Sequence, residues 1–239
     1  MTGVLASPAP RFYSIAAGRP FLRDLAQGLA ASLTESGFTL PDATIYLPTR
    51  RAARALAEAF LETAGGAATL TPHIRALGDI DEDEFALEEP GLDGVLEDEL
   101  ALNPAAPMAE RRLVLARWIA EKDKTWFDGQ RRWAGAISAA DGLGRLLDSL
   151  YTEEIPAERL DEIVPDALAA HWAQSLEFLK IVTESWPAHL AGHKLMDPAA
   201  RRIALIDLQT KRWAASPPQK PVIIAGSTGS TPAVARMMK

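Results

Sequence analysis

Apolar positions recur at two different spacings along this chain, and the change between them divides it. Leu22, Leu25, Leu29 and Leu33 follow at three- and four-residue intervals, which predicts a helix that ends at Ser36-Gly37. Arg11 to Ile15 precedes it as a short β-prone run, broken by Gly18-Arg19-Pro20, so the opening reads strand, turn, helix. The same order repeats: Ala43 to Leu47 (ATIYL) predicts a buried strand, Pro48-Thr49 turns the chain, and RRAARALAEAFLETAGG predicts a helix. That helix turns Ala53, Leu56 and Phe60 inward and stops at Gly65-Gly66. A third apolar piece spans Thr69 to Leu77. Strand-helix units in succession predict an α/β fold with a parallel sheet wound by helices.

From Asp79 to Pro107 the pattern lapses into acidic residues with Pro90, Gly91, Gly94, Pro104 and Pro107, the composition of an exposed connection. Beyond it the period is helical for about a hundred residues. One stripe holds Val114, Leu115, Trp118 and Ile119, and a second holds Trp133, Ile137, Ala140, Leu143, Leu147 and Leu150. A third holds Leu168, Trp172, Leu176, Leu179 and Trp186. All 6 Trp residues fall between positions 118 and 213, which predicts an aromatic core for this block. Asp197-Pro198 starts a further helix through Ile203, Ile206 and Trp213, with Asp197 as cap and Pro198 in the first turn. After Ser216-Pro217-Pro218, the run PVIIAGSTGSTPAVARMM returns to strand, turn and helix start. The expected organisation is therefore 1–107 as the first part of an α/β domain, 108–195 as an all-helical insertion, and 196–239 as the return, with the last helix cut short as in a piece of something longer.

Composition narrows the chemistry. With 48% hydrophobic and 24% charged residues in 239, disorder and rod-like assemblies are poor explanations. The 0 cysteines remove thiol nucleophiles, thiolate zinc and iron-sulfur ligation from these residues. No basic start leads into an apolar stretch and no long apolar run exists, so neither export nor a membrane span is expected, and the cytoplasm is the expected compartment. The net charge of −7 is uneven: residues 79–99 hold 11 acidic and no basic side chains, so the remainder comes to +4. The body of the chain is mildly basic, as a nucleic-acid partner requires.

Several candidate sites fail on their own chemistry. The turn at Gly18 stands where a phosphate-binding loop would follow a first strand, but it has one Gly, no Lys and a Pro, so no ATP site is expected there. Gly226-Ser-Thr-Gly-Ser-Thr231 lacks the spacing and Lys of a Walker loop. Read as a nucleophile elbow around Ser227, it lacks a downstream acid or His. Asp79, Asp81 and Asp83 open like a calcium loop, but Glu84 stands where Gly is needed and Pro90 where Glu is needed. His189 and His193 are four apart with Leu190 in place of the Glu of a zinc protease, while His73 and His171 stand far off, so surface or core-edge histidines are expected and no metal site.

Thr49-Arg50-Arg51-Ala52-Ala53-Arg54 is the most informative stretch. It lies past the end of a predicted parallel strand, where ligands of open α/β sheets gather. Thr49 and the first-turn amides can donate to a phosphate, and Arg50, Arg51 and Arg54 supply neutralising charge.

IYLPTRRAARALAEAF resembles the motif after the second strand in the first motor domain of UvrD-like superfamily 1 helicases, a Thr and a basic, Ala-rich helix start that touches single-stranded DNA. Together with IRALGDIDEDE and PVIIAGSTGSTPAVARMM, the chain resembles the alphaproteobacterial form of the AddB family of double-strand break repair subunits over nearly its whole length, most specifically at GSTGSTP. The resemblance implies a RecA-like domain of the P-loop NTPase type with a large helical insertion. It also implies a heterodimer with an AddA-type helicase-nuclease subunit that carries the active motor, and a nuclease domain beyond residue 239. Carried over by position, Thr49, Arg50 and Arg51 match the DNA-contacting motif, and Thr228 and Ser230 sit in the loop after a central motor strand, here read as facing DNA or a partner. Nuclease residues and cluster cysteines have no counterpart. The expected role is to bind DNA ends, single strand and the motor subunit without chemistry or a cofactor. The alternatives are a nucleotide-dependent motor domain completed by missing residues or by the partner, and a pure protein–protein scaffold.

Overall fold

A computed structural model of the chain describes residues 11–77, 102–122, 131–163 and 178–239. The acidic stretch 79–99 and the stripe positions Leu168, Trp172 and Leu176 lie outside them. The chain divides into two compact units: one takes its described residues from 11–77, 209–230 and 234–239, the other from 102–208 and 231–233.

The first unit is mixed α/β. Its elements are α1 (Phe21–Glu35), β1 (Thr44–Leu47), α2 (Arg50–Thr63), β2 (His73–Ala76) and β3 (Val222–Ile224). β1 is the central strand of a three-stranded parallel sheet in the order β2-β1-β3, with Thr44 opposite His73 on one side and Val222 on the other. Period-2 alternation sends Ile45 and Leu47 to one face, where they join Ala26 and Leu29 of α1, Leu56 and Phe60 of α2, and Ala225 in a single apolar cluster. Tyr46 faces the opposite side, 3% exposed, and meets the edge of Trp213 at 5.9 Å. Trp213 belongs to the last turns of a helix spanning Pro198–Ala215, so β1 is covered on both faces.

Helix ends follow from local sequence. After α1 the chain makes a Schellman turn: Gly37 takes φ +81°, Phe38 N–H donates to Leu33 O at 2.9 Å and Gly37 N–H to Thr34 O at 3.1 Å. Gly65 and Gly66 stop α2 with φ of +61° and +86°. One expected strand is absent: Arg11–Ile15 has no regular structure, and Phe12 and Tyr13 are 81% and 65% exposed. A strand inside a parallel sheet must be apolar on both faces, which RFYSI is not. The pairing place beside β1 is held instead by β2, out of the Thr69–Leu77 run.

The second unit is helical, with α3 (Met108–Lys122), α4 (Arg131–Thr152), a 3₁₀ segment (Ala157–Ile163) and α5 (Trp186–His193). α6 (Pro198–Ala215) begins in this unit and ends in the first. Leu115, Ile119, Ala136, Ala140, Leu147, Ile181 and Trp186 form its core. Trp133, expected inside, is 55% exposed, while Ala136, three residues on, is buried. Pro187 does not break the helix: five residues of π-helix, Ile181–Ser185, lead into α5 and place Pro187 in its opening turn, where a missing N–H costs little. The expected cap of α6 is present: Asp197 Oδ1 accepts from Ala199 N–H at 2.9 Å, with Pro198 as the first helical residue. β3 leads into a short terminal helix, α7 (Pro232–Met237).

Candidate nucleic-acid interface

Parallel pairing places the C-terminal ends of β1 and β3 at one edge of the sheet. The loop Pro48-Thr49 leaves from β1 there, and Ala225–Ser230 leaves from the neighbouring β3. The two loops meet, since a Cβ at Gly226 would lie 3.7 Å from Pro48 Cδ and 3.5 Å from the ring of Phe21 at the start of α1. All six residues singled out above therefore leave from this one edge: Thr49, Arg50, Arg51 and Arg54 after β1, Thr228 and Ser230 after β3, all exposed.

Thr49 is the N-cap of α2, extended at φ −137° and ψ 153°, and its Oγ1 accepts from Ala52 N–H at 3.1 Å. The hydroxyl oxygen is thus spent on the helix, and the cap holds the arginines that follow at a fixed angle to the strand. At about 100° per residue, Arg50, Arg51 and Arg54 fall within one quarter-turn or so of helix surface, away from buried Leu56, Ala59 and Phe60. The first turn of α2 holds no acidic residue. Arg51 and Arg54 have no ion-pair partner among the described residues. Cations at a helix N-terminus oppose its dipole, so the first turn of α2 is an unfavourable place for Arg51 and Arg54 unless an anion meets them.

The turn before α1 is differently built. Arg19 N–H donates to Ala16 O at 3.2 Å, Gly18 takes φ +84°, and Pro20 caps α1 without a side-chain hydrogen bond. The Arg19 guanidinium is bound in two places by Asp24, Nε to Oδ2 at 2.7 Å and Nη2 to Oδ1 at 3.3 Å. The cation nearest this turn is therefore already neutralised. In the β3 loop Ser227 Oγ accepts from Gly229 N–H at 3.2 Å, a hydroxyl-closed turn with no His or acid in it.

The second unit contains a polar cluster that the sequence reading missed. Arg111, 2% exposed, donates through Nη1 to Asp148 at 2.8 Å and through Nη2 to Gly144 O at 2.6 Å, and its Nε lies 3.3 Å from Asp197 Oδ2. Trp186 Nε1 donates to the same Asp197 oxygen at 2.9 Å. Burial pushes the Asp197 carboxyl above its ordinary range against the pull of Arg111. Burial, with Asp197's charge behind it, pushes Tyr151 up to about 12. His189 stacks on Trp186 at 5.5 Å, meets Trp118 edge-on at 5.7 Å, and approaches Glu110 Oε1 at 3.3 Å. Every strong contact in this cluster is made to another residue of the unit, as in a structural node. A detectable signal was Arg111 itself, which stands one and two helical turns before Leu115 and Ile119 on the apolar stripe of α3. Among the described residues, no group of three or more His, Asp or Glu is placed to hold a metal, and no helix is long and apolar enough to cross a membrane.

No family model, no curated protein and no solved structure matches this chain.

Proposed function

We propose that this chain is a catalytically silent, RecA-like helicase segment of an AddB-type double-strand break repair subunit, acting in the cytoplasm. In this reading it holds the DNA of a broken end along the C-terminal edge of its sheet and docks an AddA-type motor subunit. The observation that carries the reading is the exposed trio Arg50, Arg51 and Arg54 behind the Thr49 cap, in a helix whose first turn holds no acidic residue. Phosphate contact is the chemistry such an array serves, and a backbone ligand asks nothing of it in base sequence. Silence toward nucleotide is supported by the turn at Gly18, which lacks the phosphate-binding Lys and whose cation is paired with Asp24.

Arg50→Ala/Arg51→Ala/Arg54→Ala tests the reading. Affinity for a single-stranded oligonucleotide falls, and the slope of log K against log salt becomes shallower by about 2 if all three arginines contact phosphates of a single strand. Unchanged affinity and slope would sink it and leave the protein–protein scaffold. ATP turnover by a partner complex whose own motor lysine is disabled would instead favour a nucleotide-dependent domain completed in trans.

A further inference from the structure

In the second unit α3 and α4 pack along one another, and a partly open cleft of about 370 Å³ lies between them beside the first two turns of α3. Buried Leu115 and Ala140 line its floor, and exposed Met108 and Ala109 its rim. Three arginines and two aspartates also line it, and their charges are unevenly matched. Arg111 is held by Asp148, Gly144 O and Asp197. Arg112 is bound in two places by Asp141, Nε to Oδ1 at 2.7 Å and Nη2 to Oδ2 at 2.8 Å, and these bonds hold the Asp141 carboxyl below its ordinary range. Arg145 is exposed, and its guanidinium has no ion-pair partner among the described residues. Gly144 lines the cleft from the interior of α4, where glycine is less favourable than alanine. A Cβ there would stand 3.9 Å from Arg111 Nη2, an ordinary contact, so packing does not demand glycine, and the missing methyl leaves room in the cleft.

We propose that this cleft binds a free small organic acid, its carboxylate on Arg145 and its short apolar body on Leu115 and Ala140, between Met108 and Ala109. The planar guanidinium fork matches a carboxylate through two parallel hydrogen bonds. Asp141 and Asp148 do not oppose such a ligand, because Arg112 and Arg111 already neutralise them. The apolar lining rewards a hydrocarbon body, which inorganic phosphate or sulfate does not bring. A nucleic-acid strand is a poor fit, since its successive phosphates would meet two aspartates around the single spare cation. The volume lies near the lower end of the ~300–1,000 Å³ common among small-molecule sites, which points to a ligand of few atoms. The site needs nothing from the arginines of α2, so it stands or falls apart from the DNA reading.

Calorimetric titration of the full chain tests this with four probes: isocaproate, its uncharged amide, acetate, and N-acetyl-alanyl-leucine. Isocaproate binds at a single site, at least about ten-fold more tightly than the amide, which lacks the charge, and than acetate, which lacks the apolar body. Arg145→Met brings isocaproate down to the level of the amide and, because the side chain is exposed, leaves the melting temperature unchanged. Arg145→Lys, which keeps the charge and loses the fork, falls between. Ala109→Leu and Gly144→Ala fill the cleft and weaken acid and amide alike. Four results overturn the proposal: no saturable binding of isocaproate at millimolar concentration, equal binding of acid and amide, acid binding indifferent to both cleft-filling substitutions, or tighter binding of N-acetyl-alanyl-leucine than of isocaproate. The last would make the C-terminus of a protein partner the occupant in place of a free acid.

Discussion

Thr49 shows how a single side chain can serve both fold and surface. Its Oγ1 satisfies Ala52 N–H, so Thr49→Ala is expected to cost about 1 kcal/mol of stability, read as a lower urea midpoint, while Thr49→Ser restores it. Arg51 behaves in the opposite way. It faces the positive end of α2 with no ion-pair partner among the described residues, so Arg51→Ala raises the urea midpoint at low salt while weakening oligonucleotide binding. The Asp197 cap was legible because a cap is a local rule, a hydroxyl or carboxylate before a helical run, whereas Thr49, read as a phosphate donor, turns out to cap α2 by that same rule. Arg111 stands on an apolar stripe that hints at its burial, but its partners were not legible, because Asp148 and Asp197 stand 37 and 86 positions away and no short-range pattern links them. Arg111→Met would leave Asp197 buried and uncompensated. It should cost about 3–5 kcal/mol, measured by urea unfolding of the full chain.

Elements were legible where a period ran long enough. α1, α2 and α6 follow from their apolar spacing and stop signals, and β1 and β3 from short apolar runs between breakers. Arg11–Ile15 failed because β-prone residues alone do not make a strand: a parallel sheet needs apolar side chains on both faces, and the room beside β1 is filled by β2 and β3. The entry to β1 is held electrostatically. Asp42 accepts from Thr39 N–H at 2.9 Å and Thr39 Oγ1 at 2.6 Å, and pairs with Lys220 Nζ at 3.0 Å, close ahead of β3. The hydroxyl and amide of Thr39, then Lys220, hold this carboxyl well below the usual carboxylate range. A depressed folded-state value means that the contribution is present above the ordinary aspartate value and is lost as pH falls through the folded one. The melting temperature of the first unit therefore falls more steeply below pH ~4 in the native chain than in Asp42→Asn, and thermal melts across pH 2–6 measure it.

At the scale of the whole molecule, the alternation of sheet-building and helical sequence pointed to a mixed α/β chain with a parallel sheet. The partition of α6 between the two units was not legible, because one uninterrupted helical period carries no mark of which neighbours it serves. Ligand linkage separates the functional readings at this scale: a saturating single-stranded oligonucleotide raises the thermal midpoint, while ATP with magnesium leaves it unmoved. A shift with nucleotide alone would contradict a silent segment.

β1 hydrogen-bonds on both sides: Ala43 O and Leu47 O accept from His73 and Leu77, while Thr44 N–H reaches Pro221 O and Tyr46 O takes Ala225 N–H. Its flanks are saturated, so any strand recruited by growth of the chain, or by a partner, must zip onto the outer rim of β2 or β3. In deuterated solvent the Ile45 and Tyr46 amides should be the last protons of the sheet to wash out, and the rim amides of β3 the first to slow when such a strand arrives.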